Sequence, residues 1–189
     1  MKKIVIFASG SGTNAQRITE FFKNRNDAQV VLILSNKNTA KVLERANKLK
    51  VSAFSFNRTA FYDTTQVLNL VKQTQPDLIV LAGFLWLFPQ NIIEAYSGKI
   101  INIHPALLPA YGGKGMYGEH VHKAVVEAGE KESGITIHEV TAEYDKGAIL
   151  FQAKTQLEDE ETADSLATKI HELEYEHFPR VIVEILEKQ

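Results

Sequence analysis

The sequence predicts an α/β fold: a single-domain, mostly parallel twisted sheet flanked by helices, with an antiparallel strand pair in the C-terminal part. Three observations lead there. Up to residue 104, short β-rich runs alternate with helical patterns, the rhythm of βαβ units. The runs "KIVIFA", "VVLIL", "DLIVLA" and "KIINI" are nearly continuous in apolar residues, as strands covered on both faces require. Further on, "GITIHEVT" and "AILFQAKTQ" alternate in polarity across a short turn around "AEYDKG", the mark of an antiparallel pair added to the sheet.

The first strand, residues 3–8, stops at the glycines of "ASGSGTN". A helix over 14–23 follows, and Thr13 with Gln16 has the spacing of a capping box. Strand 29–35, helix 40–49, strand 52–56 and helix 60–73 continue the alternation. Strand 77–82 and helix 89–96 come next. Strand 99–104 then carries Asn102 and His104 into the loop of "NIHPALLPAYGGKGMYG", which holds four glycines and two prolines. After the antiparallel pair, a helix from about Thr162 closes the chain, with Pro179 interrupting or kinking it.

Composition narrows the function classes. A chain of 189 residues that is 44% hydrophobic can bury the core of one ordinary domain, with no room for a second large one. Basic and acidic residues number 21 and 23, so a net charge of −2 gives no reason to expect nucleic-acid or membrane-surface partners. Small molecules are the expected partners. The absence of Cys excludes disulfides, thiolate nucleophiles and Cys-based zinc sites. The N-terminal apolar run, residues 4–8, is shorter than the ~7–15 residues of a signal-peptide core, so the cytoplasm is the expected compartment. Pro76 and Pro89 bound the longest apolar segment, residues 78–88, which falls short of the ~20 needed to cross a bilayer.

Three places could carry chemistry. In "ASGSGTN", glycines let the backbone approach a ligand and the free N–H groups of a helix start face it, a candidate phosphate cradle. A ligand-free glycine turn is the alternative. Gly10-x-Gly12-x-x-Ala15 also meets the loose dinucleotide pattern, but strand two ends "LSNK" with no acid for a ribose diol; Lys37 leaves a 2′-phosphate open. Second, Asn102 and His104 lie two apart, hence on one side of a strand, at the edge where open α/β sheets bind ligands. An amide and an imidazole there suit a reaction that develops negative charge on a carbonyl oxygen, although a strand-end His also serves as a structural hydrogen-bonder. Third, Asp145 in the turn would raise the pKa of His104 if it came near, while Asp-Lys-Gly is also ordinary turn chemistry. His120-x-His122 lacks a further ligand at a familiar spacing, so no metal is expected.

The stretches "FASGSGTN", "PDLIVLAGFLWLF", "INIHPALLPAYGGKG" and "VTAEYDKGAILFQAK", in this order over nearly the whole chain, resemble the folate-dependent phosphoribosylglycinamide formyltransferases. The resemblance implies an enzyme that transfers a formyl group from 10-formyltetrahydrofolate, as co-substrate and without a metal, to the amine of phosphoribosylglycinamide in purine biosynthesis. It implies Asn102, His104 and Asp145 as catalytic residues, with His104 kept protonated through Asp145. Gly12, Thr13 and Asn14 are then expected on the substrate phosphate, and His171 and Glu174 on the ribose. Leu85, Trp86, Leu87 and Phe88, with Thr141, Ala142, Glu143, Tyr144, Asp145 and Asn102, are expected to line the folate pocket. Residues 1–100 form the phosphate-binding half and 101–189 the catalytic and folate-binding half, in a monomer or homodimer. Relatives with the same Asn-x-His-Pro core formylate methionyl-tRNA or hydrolyse formyltetrahydrofolate, and these remain alternatives beside a non-catalytic nucleotide-binding module.

Overall fold

The structure, a computed structural model, describes residues 1–188. Its elements are β1 (Lys2–Phe7), α1 (Thr13–Phe22), β2 (Ala28–Ser35), α2 (Lys41–Leu49), β3 (Ser52–Ser55), α3 (Gln66–Thr74), β4 (Leu78–Leu81), α4 (Gln90–Ala95), β5 (Ile100–His104), α5 (Glu119–Glu127), β6 (Glu132–Glu139), β7 (Ile149–Gln156) and α6 (Ala163–Glu187). The strands form one sheet in the order β3-β2-β1-β4-β5-β6-β7. The first five pair in parallel, and β6 and β7 are added antiparallel beside β5. The fold class and the antiparallel addition agree with the sequence-based expectation.

Both faces of the parallel part are covered, which explains the unbroken apolar runs. Along β1, Ile4 and Ile6 join a core with α1 and α6, whereas Val5 and Phe7 join a second core with α3 and α4. Because β1 lies between β2 and β4, the chain reverses its winding there, and the carboxyl ends of β1, β4 and β5 border one crevice.

Four local expectations need correction. Thr13 does not cap α1: the N-cap is Gly12 at φ 76°, and no side chain bonds the first turn. Gly12 turns the chain through the left-handed region, so Thr13 is already helical, and the Gln16 amide goes to Glu20 and Arg45 instead. A Cβ at Gly12 would also stand 2.4 Å from Val42 Cγ2, so only glycine meets both demands. The single helix expected over 60–73 is a π-helical turn, Thr59–Asp63, followed by α3. The break falls at Thr64, which is extended and whose hydroxyl accepts from Gln66 N–H at 3.3 Å.

Pro179 does not interrupt α6, which runs 25 residues through it. Lacking an N–H, Pro179 leaves the Tyr175 carbonyl without its helical donor, and Arg17 Nε of α1 donates to that oxygen at 3.2 Å. Phe178, Val181 and Ile182 on either side are buried in the core, and this packing carries the helix through the missing bond. The fourth correction is α5, unexpected after the glycine-rich loop, which packs against α6.

Candidate active site

At the crevice, the loop after β1 is held by its carbonyl oxygens and side chains. Val42 N–H donates to Gly10 O at 3.2 Å, Arg45 Nε to Ser11 O at 2.8 Å, and Leu85 N–H to Ser9 Oγ at 2.9 Å. The carbonyls face outward. The N–H groups of Thr13, Asn14 and Ala15, in the first turn of α1, are left without intrahelical partners, and Lys37 lines the same end of the cleft. That combination suits an anion.

At the other end, β5 and β6 pair with Asn102 opposite His138 and His104 opposite Thr136. These four side chains share one face of the sheet. Thr136 Oγ1 donates to Ala106 O at 2.7 Å and accepts from Leu108 N–H at 3.0 Å, which ties down the loop leaving His104. His104 Nε2–H donates to the Tyr111 carbonyl at 2.7 Å, so Nδ1 is the nitrogen turned to Asp145, 3.7 Å from Oδ2. His138 Nδ1–H donates to Glu139 O at 2.8 Å. An uncharged His138 ring then accepts from Asn102 Nδ2 at 3.0 Å; a charged one points Nε2–H at Asp145 Oδ1, 3.5 Å away.

Asp145 is thus shared by two imidazoles. Its φ of 56° is left-handed, a region that Asp tolerates better than most residues, and a Cβ at Gly112 would stand 3.3 Å from the Asp145 Cβ. Burial alone would push the Asp145 carboxyl up, but His138, the Gly113 N–H at 2.8 Å and the nearby His104 outweigh it and hold the pKa below the ordinary range. Asp145 is ionised. His104 goes the other way: burial pulls its pKa below 6.5, and the Asp145 charge opposes this without reversing it. The expectation of a protonated His104 is therefore corrected for the ligand-free protein. A carboxylate at 3.7 Å, outside hydrogen-bond reach, does not repay the desolvation of a ring that is only 3% exposed.

Glu174 joins the site from α6, where Asn14 Nδ2 donates to its Oε2 at 2.9 Å. Burial pushes the Glu174 carboxyl up to about 7, with the Asn14 bond opposing. His171, one turn earlier, stacks on Tyr175 with ring centroids 5.9 Å apart. Leu85, Trp86, Leu87 and Phe88 line the cleft after β4, and Arg58 lies 5.1 Å over the Trp86 ring. Phe88 is also core, its ring 5.0 Å from that of Phe7.

The cleft encloses about 630 Å³. It brings together Gly12, Thr13, Asn14, His171, Glu174, Asn102, His104, Asp145, Thr141, Glu143 and Tyr144 as expected. Ala142 is the exception: it is exposed on the turn and does not line the cleft. Sequence reasoning missed His138, whose only signal was its place on an alternating strand, and weighed His122 only as a metal ligand, although it is buried in the cleft wall. Among the described residues there is no group of three or more His, Asp or Glu that could hold a metal ion.

Comparison with known proteins adds identity to this geometry. The formyl transferase family model matches residues 2–182. The phosphoribosylglycinamide formyltransferase of Bacillus subtilis is 36% identical over 193 residues, covering 98% of this chain and 95% of that protein. The Escherichia coli protein of the same name is 33% identical, covering 95% and 84%. Among solved structures, the phosphoribosylglycinamide formyltransferase of Streptococcus pneumoniae superposes with a TM-score of 0.87 at 34% identity, over 98% of this chain and 99% of that one. Glycinamide ribonucleotide transformylase 1 of Symbiobacterium toebii gives 0.90 at 31% identity, over 100% and 89%. An anion cradle at one end of the cleft and an amide, an imidazole and a carboxylate at the other accord with these likenesses, and the chain belongs to the formyl transferase family, with the phosphoribosylglycinamide formyltransferases as its relatives.

Proposed function

We propose that the cleft transfers the formyl group of 10-formyltetrahydrofolate to the amine of phosphoribosylglycinamide, giving the N-formyl product and tetrahydrofolate in purine biosynthesis. The observation that carries this reading is the cluster of Asn102, His104, His138 and Asp145 at the end of β5, across one cleft from the unpaired N–H groups of α1. The names of full-length relatives support it over the hydrolase and methionyl-tRNA alternatives. A nucleotide-binding module has only the loose glycine pattern in its favour.

In this reading, Gly12, Thr13, Asn14 and Lys37 hold the phosphate, and Glu174 and His171 take the ribose hydroxyls. Leu85, Trp86, Leu87 and Phe88 with the turn at Thr141, Glu143 and Tyr144 bracket the folate ring system. The two halves of the chain contribute as residues 1–100 for phosphate and 101–189 for catalysis, although Glu174 crosses back to Asn14 and residues 85–88 reach forward to the folate.

The amine nitrogen attacks the formyl carbon, forming one C–N bond, and the C–N bond to the folate nitrogen then breaks. Asn102 donates an amide N–H to the developing oxyanion, its other N–H engaged by His138. His104 Nδ1 takes the proton that the attacking amine loses. The imidazolium so formed has Asp145 beside it and lends its charge to the oxyanion, and the same proton goes on to the departing folate nitrogen. The uncharged resting His104 fits this role, since a base must start with a free lone pair.

Among the described residues no helix is long and apolar enough to cross a membrane. We read the enzyme as cytoplasmic, a monomer or homodimer acting on small molecules without nucleic acid. The test is formyl transfer from 10-formyltetrahydrofolate with phosphoribosylglycinamide, water or methionyl-tRNA as acceptor. Turnover confined to the first supports the reading; equal or faster release to water or tRNA overturns it.

A further inference from the structure

We propose that His122 is a substrate-binding residue whose Nε2–H donates to the carbonyl oxygen of the glycinamide arm, positioning the amine for attack. The inference rests on the functional reading above and adds a residue to it.

His122 lies in the first turns of α5, is 4% exposed and lines the cleft. It is distinct from its neighbour two residues earlier: at about 100° per residue the two rings point to different sides of the helix, and His120 packs on Tyr117 instead, centroids 5.1 Å apart. α5 packs against α6, which carries His171, and His122 lines the same cleft as His171 and His104. The functional reading gives those two side chains to the ribose and to the transferred group. In phosphoribosylglycinamide, what lies between ribose and amine is the glycinamide linkage, and its carbonyl oxygen is an acceptor.

The state of the ring follows from its burial. Desolvation first, then the His171 ring, pull its pKa down to about 4, so His122 is uncharged where the enzyme works and too weak a base to compete for the amine proton. Nδ1 is shut away from solvent without a partner. Buried N–H groups without acceptors are rarer than buried lone pairs, so the proton belongs on Nε2, the ring nitrogen that is not shut away, in a side chain that lines the cleft. The ring therefore offers the cleft one donor in a fixed direction. Packing alone does not call for it: Val121 and Val125 fill the core from the same helix, and an aliphatic side chain would avoid an orphaned nitrogen.

Three variants separate the possibilities, assayed by steady-state kinetics, by calorimetric titration with phosphoribosylglycinamide and by thermal unfolding. His122→Gln carries an amide N–H near the Nε2 position, His122→Asn carries one near Nδ1, and His122→Leu carries none. The expected result is a KM and Kd for phosphoribosylglycinamide raised about 10–100-fold in the Leu and Asn variants, as for loss of a hydrogen bond in a desolvated site. The KM for 10-formyltetrahydrofolate should stay within about twofold, the Gln variant should recover most of the affinity, and the Leu variant should melt no lower than wild type. Unchanged affinity in His122→Leu overturns the inference. So does weakening of both substrates together with a fall in Tm, which would assign His122 to the scaffold, or a Gln variant no better than Leu, which would remove the Nε2 donor. A wild type that neither binds nor formylates phosphoribosylglycinamide sinks the functional reading and this inference with it, whereas an active wild type with an unaffected Leu variant sinks the inference alone.

Discussion

Glu174→Gln tests whether the α6 carboxyl is held against its charge. Glu174 is 6% exposed and its one hydrogen-bond donor among the described residues is Asn14 Nδ2, at 2.9 Å. A single neutral donor does not replace the water a carboxylate loses, and the pKa is pushed up to about 7 from 4.5. At 1.36 kcal/mol for each pH unit between those values, ionised Glu174 costs the folded state about 3 kcal/mol. The sign follows from which state binds the proton. Below pH 4.5 the group is neutral folded and unfolded, and no cost arises. Between pH 4.5 and 7 the unfolded chain ionises while the folded one keeps its proton, so stability falls as pH rises. Above pH 7 both states are ionised and the full cost remains.

Gln keeps the shape, and its Oε1 still accepts from Asn14. The variant should therefore gain on wild type with rising pH, by about 3 kcal/mol between pH 4.5 and 8 in urea unfolding, with titrations elsewhere cancelling in the difference. A difference that stays flat over this range refutes the argument. Function moves the opposite way. If ribose hydroxyls donate to the carboxylate, substrate favours the ionised form, so wild-type affinity for phosphoribosylglycinamide should climb through pH 7, and Glu174→Gln should bind more weakly and without that climb.

Asp145→Asn removes the one charge that raises the His104 pKa, so the His104 ring should titrate lower still by NMR and kcat should fall about 10²–10⁴-fold; identical titration curves would end the electrostatic role. His138→Phe keeps a planar ring but frees the Asn102 amide, and kcat should fall about 10-fold or more with little change in either KM. A KM-only effect would make His138 a binding residue instead. Trp86 is the sole tryptophan, so a folate analogue entering the expected pocket should change the intrinsic emission at saturation; an unaltered spectrum places the folate elsewhere.

How much was legible in the sequence depended on whether the signal was local. The apolar runs of β1, β2, β4 and β5 record burial on two faces, and the start expected for the last helix, at about Thr162, is where the structure caps α6. The Asn102 and His104 pair was readable because period two puts both on one side of a strand. The rest depended on contacts distant in sequence. That Arg17 would meet the Tyr175 carbonyl freed by Pro179, or that Val42 would forbid a side chain at Gly12, follows from neighbours no local pattern names. Glycine spacing hid α5, and the extended Thr64 hid the break before α3. The balance at His104 was hidden for the same reason: a nearby acid is visible as a motif, but the depth of burial that draws the ring's pKa down against it is not.

The antiparallel addition explains why this sheet can carry such a site. A wholly parallel sheet offers chemistry only what its strand ends and loops present. By running β6 backwards beside β5, the fold sets His138 directly across from Asn102 and then returns Asp145 over the pair in the turn before β7. One carboxylate is thereby kept ionised between two imidazoles, with Gly113 N–H as its fixed donor. The arrangement is poised for a proton: His104 at rest lacks one because burial disfavours the charge, yet the partner that would stabilise it already stands at 3.7 Å. In the proposed reaction, a substrate amine that loses its proton as it attacks would supply it. The charge would then appear on His104 at the moment an oxyanion forms beside it, which would favour the transition state over the resting complex.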